Sequence, residues 1–105
     1  PVESYGAGFF KIGGQRVEGG MLVANESVQS WAGYEEIESL LALQGRVDVI
    51  FVGTGAEITH LPADMRQKIE QAGMGIEVMN SPSACRTYNV LAAEGRRVAL
   101  AALPV

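Results

Sequence analysis

The chain has one cysteine, one histidine and one tryptophan among its 105 residues. A single cysteine excludes an intrachain disulfide and points to a reducing compartment, which we take to be the cytoplasm. One Cys and one His cannot assemble a Cys/His zinc site, so no metal is expected, and no sequence fingerprint calls for a cofactor. Basic residues are also scarce. Lys and Arg number 8 against 12 Asp and Glu, a net charge of −4. Only Arg96 and Arg97 are adjacent, so the basic patch that phosphate binding requires is missing and no nucleic-acid partner is expected. No apolar run reaches the length of a membrane span. No signal peptide is visible, and a start at Pro1 without Met is what a removed leader or tag leaves behind.

What is present is the composition of a globular protein, 48% hydrophobic and 19% charged. The length predicts a single domain over residues 1–105. Residues 1–8, with Gly6 and Gly8 around Ala7, read as a loose N-terminal run. Short strands follow at Phe9–Ile12, Gln15–Glu18, Met21–Ala24 and Val28–Trp31. Gly13–Gly14 marks a two-residue hairpin, Gly19–Gly20 an interruption, and residues 25–27 a turn. The first third is therefore antiparallel β, which either extends the main sheet or forms a second layer. Trp31, Phe9, Phe10 and Tyr5 belong to its core or to an interface.

The remainder alternates helices and strands. Ile37, Leu40 and Leu41 mark a short helix after the acidic Glu35–Glu36, which suits a helix N-terminus, and the Glu35–Glu38 charge run reads as a solvated helix start. Apart from Asp48, Val47–Val52 is apolar and largely β-branched on both faces, and predicts an interior strand covered on both sides. Helices over 62–72 and 82–94 carry apolar faces at Met65, Ile69 and Ala72, and at Ala84, Tyr88 and Leu91. Ile76–Met79 and 97–103 are the other two strands. Such short joints predict a βαβαβ unit with parallel strands, within the α/β class.

If strands 47–52 and 76–79 run parallel, the turns after them face one crevice at the carboxyl edge, where open α/β sheets bind ligands. One turn is Gly53–Thr54–Gly55. It lacks the third glycine and immediate helix of a dinucleotide fingerprint, and predicts a tight turn with close backbone approach. The other is Asn80–Ser81–Pro82–Ser83, with Ser81 as helix N-cap and Pro82 as first helical residue. Free amides there, with Ser81, Ser83 and Arg86, suit a small anion such as phosphate or a carboxylate; ordinary capping is the plainer reading. Cys85, in the first helical turn, is either a buried packing residue or a thiol perturbed by the helix dipole, with His60 as a potential base. Glu57 and His60 form the other conceivable acid/base pair.

Longer runs of the sequence then carry a resemblance. Gly75-Ile-Glu-Val-Met79, Ala84-Cys-Arg-Thr-Tyr-Asn-Val-Leu91 and Glu94-Gly-Arg-Arg-Val-Ala-Leu-Ala-Ala-Leu103 are similar to the small-domain family that includes the mitochondrial complex I assembly factor 3. So are Tyr5-Gly-Ala-Gly-Phe9, Gly20-Met-Leu-Val23 with Trp31, Val52-Gly-Thr-Gly55 and Leu61–Pro62. At Asn80–Ser81 the chain departs from the Asp–Thr pair typical of that family, so no carboxylate stands at position 80. The resemblance implies a three-layer α/β domain with a mixed sheet and no established catalytic activity. It moves the functional expectation toward a non-enzymatic assembly or protein-interaction module, with protein partners and an open oligomeric state. The Asn80–Asn89 segment and the Gly53–Gly55 turn then become a recognition surface or its support. The small-anion protein or enzyme is the alternative.

Overall fold

The computed structural model describes residues 1–25 and 27–105; the turn expected at 25–27 therefore lies in part, at position 26, outside the described residues. Among the described residues, eight strands and three helices are arranged around one sheet of five strands. The strands are β1 (Val2–Gly6), β2 (Phe9–Ile12), β3 (Gln15–Glu18), β4 (Gly20–Ala24), β5 (Ser27–Trp31), β6 (Val49–Gly53), β7 (Gly75–Met79) and β8 (Val98–Ala102). The helices are α1 (Ile37–Leu41), α2 (Ala63–Gln71) and α3 (Ser81–Ala93).

The first third takes both of its expected roles. β1-β2-β3 is a separate antiparallel sheet, while β4 and β5 extend the main one, whose order is β5-β4-β8-β6-β7. The β2–β3 hairpin closes with Ile12 opposite Gln15, and Gly13 and Gly14 both have positive φ, at 56° and 77°. Two such residues in a two-residue loop make a turn whose twist matches the strands. β6 lies inside the sheet, parallel to both β7 and β8, and β8 pairs antiparallel with β4. The interior strand is thus two residues shorter at its start than the Val47–Val52 pattern suggests, because Val47 is spent in the core beside α1.

Alternation along these strands builds two cores. Ile50 and Val52 of β6 with Ala99 and Ala101 of β8 face α1 and α2, meeting Leu40 and Ile69. Phe51 with Leu100 and Ala102 face the other way, toward Ala84 and Tyr88 of α3 and Phe10 of the small sheet. The chain steps outward from β6 to β7 and then back across β6 to β8. Right-handed crossovers in opposite directions put α2 and α3 on opposite faces. The outcome is a layer of α1 and α2, the main sheet, and a third layer in which α3 lies beside the small sheet.

Two sequence expectations are corrected. Residues 1–8 are not loose, since Val2–Gly6 is a strand paired with β2. The Asn89 side chain grips it, accepting from the Val2 amide at 2.8 Å and donating to the Val2 carbonyl at 2.9 Å. Loss of both bonds in Asn89→Ala is expected to cost about 1–3 kcal/mol and to speed amide exchange across β1 ahead of global unfolding. Equal exchange in both proteins would refute that anchoring role. The second correction concerns Glu36, which is not merely a solvated charge. Its carboxylate accepts from the Ser39 hydroxyl and from the Ala32 amide, and these bonds hold its pKa below the ordinary carboxylate range. Its carbonyl also receives the Trp31 indole N–H at 3.1 Å.

Candidate functional site

β6 and β7 are parallel neighbours, so the turns after them meet at the carboxyl edge as the sequence predicts. What the structure builds there is a closed joint. Ser81 is fully buried. Its hydroxyl donates to the Leu103 carbonyl at 2.5 Å and accepts the Gly55 amide at 2.9 Å. Its own amide donates to the Gly55 carbonyl at 2.7 Å. Gly53 accepts from the Leu103 amide at 2.9 Å and Thr54 donates its amide to Met79 at 2.9 Å. The Thr54 hydroxyl donates to the Glu57 carbonyl at 2.7 Å and accepts the Thr59 amide at 3.1 Å, which folds the following loop back on the turn. One serine thus ties together the ends of β6, β8 and α3.

The N-cap is Asn80 rather than Ser81. Its side chain accepts the Ser83 amide at 2.8 Å and its carbonyl accepts the Ala84 amide at 3.0 Å. Both residue types cap well, and Ser81 is drawn instead into the core as the first helical residue. With the Ser81 amide on Gly55 and no N–H on Pro82, the first turn of α3 holds no free backbone donor. The anion-binding reading needs such donors, and this geometry has committed them within the chain. Arg86 is exposed and donates to the Ser83 hydroxyl at 3.2 Å, away from the buried Ser81. Millimolar phosphate is accordingly expected to leave the amide resonances of residues 81–86 and the melting temperature unchanged. A saturable shift that Arg86→Ala abolishes would restore the anion reading.

Cys85 packs in the core between α3 and the sheet, and the dipole-activated thiol does not arise. Burial pushes its pKa up to about 11, with the neighbouring Arg86 charge offsetting only part of the rise. A thiol raised in the fold favours its neutral form. Its contribution to stability is complete below the unfolded-state value near 8.5 and is lost as pH climbs toward about 11. Alkylation of Cys85 at pH 8 is therefore expected to be far slower in the native protein than in denaturant; equal rates would contradict the burial.

The other singled-out residues lie apart. His60 lines a cleft of about 260 Å³ with Ile58, Arg66 and Val78 on the β7 side. No hydrogen bond joins it to Glu57 among the described residues, and Cys85 lies in the opposite core. Among the described residues no group of three or more His, Cys, Asp and Glu converges in a way that would hold a metal ion. None of the described helices is long and apolar enough to cross a membrane. A half-open apolar hollow of about 400 Å³, lined by Ile12, Val28, Tyr88 and Ala92, escaped sequence reasoning because it lies where three elements distant in sequence meet.

Comparisons with known proteins agree with this fold. An uncharacterised protein of Rhodobacter capsulatus is 44% identical over 105 residues, which are 100% of this chain and 85% of that protein. The human NADH dehydrogenase (ubiquinone) 1 alpha subcomplex assembly factor 3 is 32% identical over 110 residues, taking in 98% of this chain. The chain spans 60% of the human protein's length. A solved structure described as an outer membrane protein from Bartonella henselae superposes with a TM-score of 0.93 at 27% identity, covering 100% of this chain and 94% of that one. Residues 2–103 match the family described as protein of unknown function (DUF498/DUF598), and the chain belongs to that family, which makes it a relative of the complex I assembly factor 3 proteins.

Proposed function

We propose that this domain is a non-enzymatic module that binds other proteins and assists their assembly. The observation that carries the reading is the 32% identity to a human protein named as an assembly factor, through an alignment taking in 98% of this chain. The geometry of the carboxyl edge supports it. That edge, where a ligand pocket would be expected, is occupied by the Ser81 joint, and among the described residues no nucleophile, base and orienting group come together beside it. In this proposal Gly53, Thr54, Gly55, Asn80, Ser81 and Cys85 are the scaffold that positions α3. Arg86, with Ser83 beside it, is the part left facing a partner. A lone buried cysteine fits a cytoplasmic setting, which cell fractionation tests.

The test of function is affinity capture of the whole protein from a native lysate at near-endogenous abundance, followed by mass spectrometry. A defined protein partner in near-stoichiometric yield is expected. Clean recovery of the protein alone, or turnover of a small molecule by the purified chain, would overturn the reading.

A further inference from the structure

α3 and the small sheet lie side by side in the third layer, and they do not fill it. Where they part, the half-open hollow of about 400 Å³ opens over the main sheet. Val23 and Val28, a cross-strand pair of β4 and β5, line it from the sheet. Ile12 and Gly13 line it from the end of β2, and Tyr88 and Ala92 from α3. The space persists because the residues around it are short: a glycine, an alanine and two valines reach only part of the way across.

Tyr88 sets this hollow apart from a packing gap. The residue is only 6% exposed, yet among the described residues its hydroxyl has no hydrogen-bond partner, an arrangement that buried hydroxyls usually avoid. Nor is that hydroxyl sealed in. Among the described residues, Tyr34 alone has a wholly enclosed side-chain oxygen or nitrogen without a partner. The Tyr88 hydroxyl therefore still opens onto space, and the hollow is the space that Tyr88 lines. Burial raises its pKa above the ordinary phenol value, so at neutral pH it is an uncharged donor.

The rest of the lining restricts what can sit there. Asn89 already has both polar atoms bonded to Val2. Among the described residues no lining side chain is charged. A charged ligand would give up its hydration and find no side chain of opposite sign to replace it. Apolar surface, by contrast, gains by contact with Ile12, Val23, Val28 and Ala92. Benzene occupies an apolar cavity of about 150 Å³, so the hollow has room for a ring and a substituent. Its size falls within the range of about 300–1,000 Å³ common for small-molecule sites.

We propose that this hollow binds a small uncharged molecule with an apolar ring-sized body and a carbonyl oxygen that accepts a hydrogen bond from Tyr88. The site goes beyond the protein-binding role and does not depend on it.

Acetophenone, one ring with one carbonyl, is the probe. Ethylbenzene has nearly the same shape without the oxygen. Benzoate carries a negative charge and tests whether the main-chain nitrogen of Pro1, which also lines the hollow, draws an anion instead. Each is titrated into the whole isotope-labelled protein and followed by NMR. Acetophenone should shift the methyl resonances of Ile12, Val23, Val28 and Ala92 saturably. Ethylbenzene should bind there about fivefold more weakly, and benzoate more weakly still. Tyr88→Phe removes only an unpartnered hydroxyl. It should leave the melting temperature unchanged and reduce acetophenone to the affinity of ethylbenzene, whose own binding stays the same. Ala92→Leu puts a side chain into the hollow and should abolish the shifts from both. Should Ala92→Leu fail to fold, the shift map of the unsubstituted protein and the Tyr88→Phe comparison decide. The proposal is overturned by the absence of a saturable shift up to the solubility of acetophenone, or by shifts centred elsewhere. Equal affinity for acetophenone and ethylbenzene, or a preference for benzoate, overturns it too. Lysate capture tests the module reading separately, so either can fail while the other stands.

Discussion

Gly53→Ala is expected to destabilise the protein by about 3 kcal/mol, the upper end for an overpacked core. A Cβ at this position would lie 2.6 Å from the Ser81 hydroxyl oxygen and 2.8 Å from the Ser81 Cα. The hydroxyl cannot rotate away without surrendering its bonds to Leu103 and Gly55. The Cα cannot move without carrying the start of α3 with it. Ser81→Ala removes the hydroxyl alone and leaves the Leu103 carbonyl and the Gly55 amide short of a buried partner, at a cost of about 1–3 kcal/mol. The double variant should cost less than the two single losses together, because both act on one contact. Denaturant unfolding of all four proteins measures this. Simple additivity, or a Gly53→Ala protein as stable as its parent, would show that the joint is looser than described.

Phe10→Ala should be at least as damaging, at about 3–5 kcal/mol. Phe10 is fully buried and is the large side chain by which the small sheet enters the core shared with α3. Against a typical total of about 5–15 kcal/mol, such a loss lowers the melting temperature by more than about 10 °C. Its neighbour Phe9 points to the other face, partly exposed beneath the Arg16 guanidinium. Phe9→Ala should cost much less, on the order of the cation–π contact of about 0.5–1 kcal/mol plus some lost burial. A reversed ranking of these adjacent residues would contradict the register of β2 and the placement of the small sheet as a packed layer.

The elements that local chemistry could decide were legible in the sequence. Gly13–Gly14 between two alternating runs leaves few options but a tight hairpin, and the apolar faces of Met65 and Ile69 or of Ala84 and Tyr88 mark helices lying on a sheet. The parallel pairing of β6 with β7, and hence the meeting of the two turns at one edge, followed from short strand–helix–strand joints.

The remainder depends on distant partners. β1 is a strand because it pairs with β2, and Asn89, 87 residues away, holds its start at Val2. No local feature of Pro1–Gly8 announces that. Ser81 and Asn80 are both good caps by composition, and only the approach of Leu103 and Gly55 draws Ser81 inward and leaves Asn80 to cap. The same approach consumes the donors on which the anion reading depended. Cys85 shows the limit of a helix-start argument for thiol activation. Position near the helix start favours the thiolate, but α3 begins at Ser81, which puts Cys85 past the first turn, and enclosure between α3 and the sheet raises its pKa. Which strands form the sheet edges could not be read at all without strand order, since every strand looks alike until its neighbours are known.

Size-exclusion chromatography of a freshly clarified native lysate, with the protein detected at its endogenous level, tests the central claim most directly. The purified protein run at the same concentration is the reference. The account predicts that the lysate protein elutes at a distinctly larger size and that the difference disappears once partners are removed. Elution at the position of the purified chain, across the whole endogenous pool, would contradict a protein-binding module.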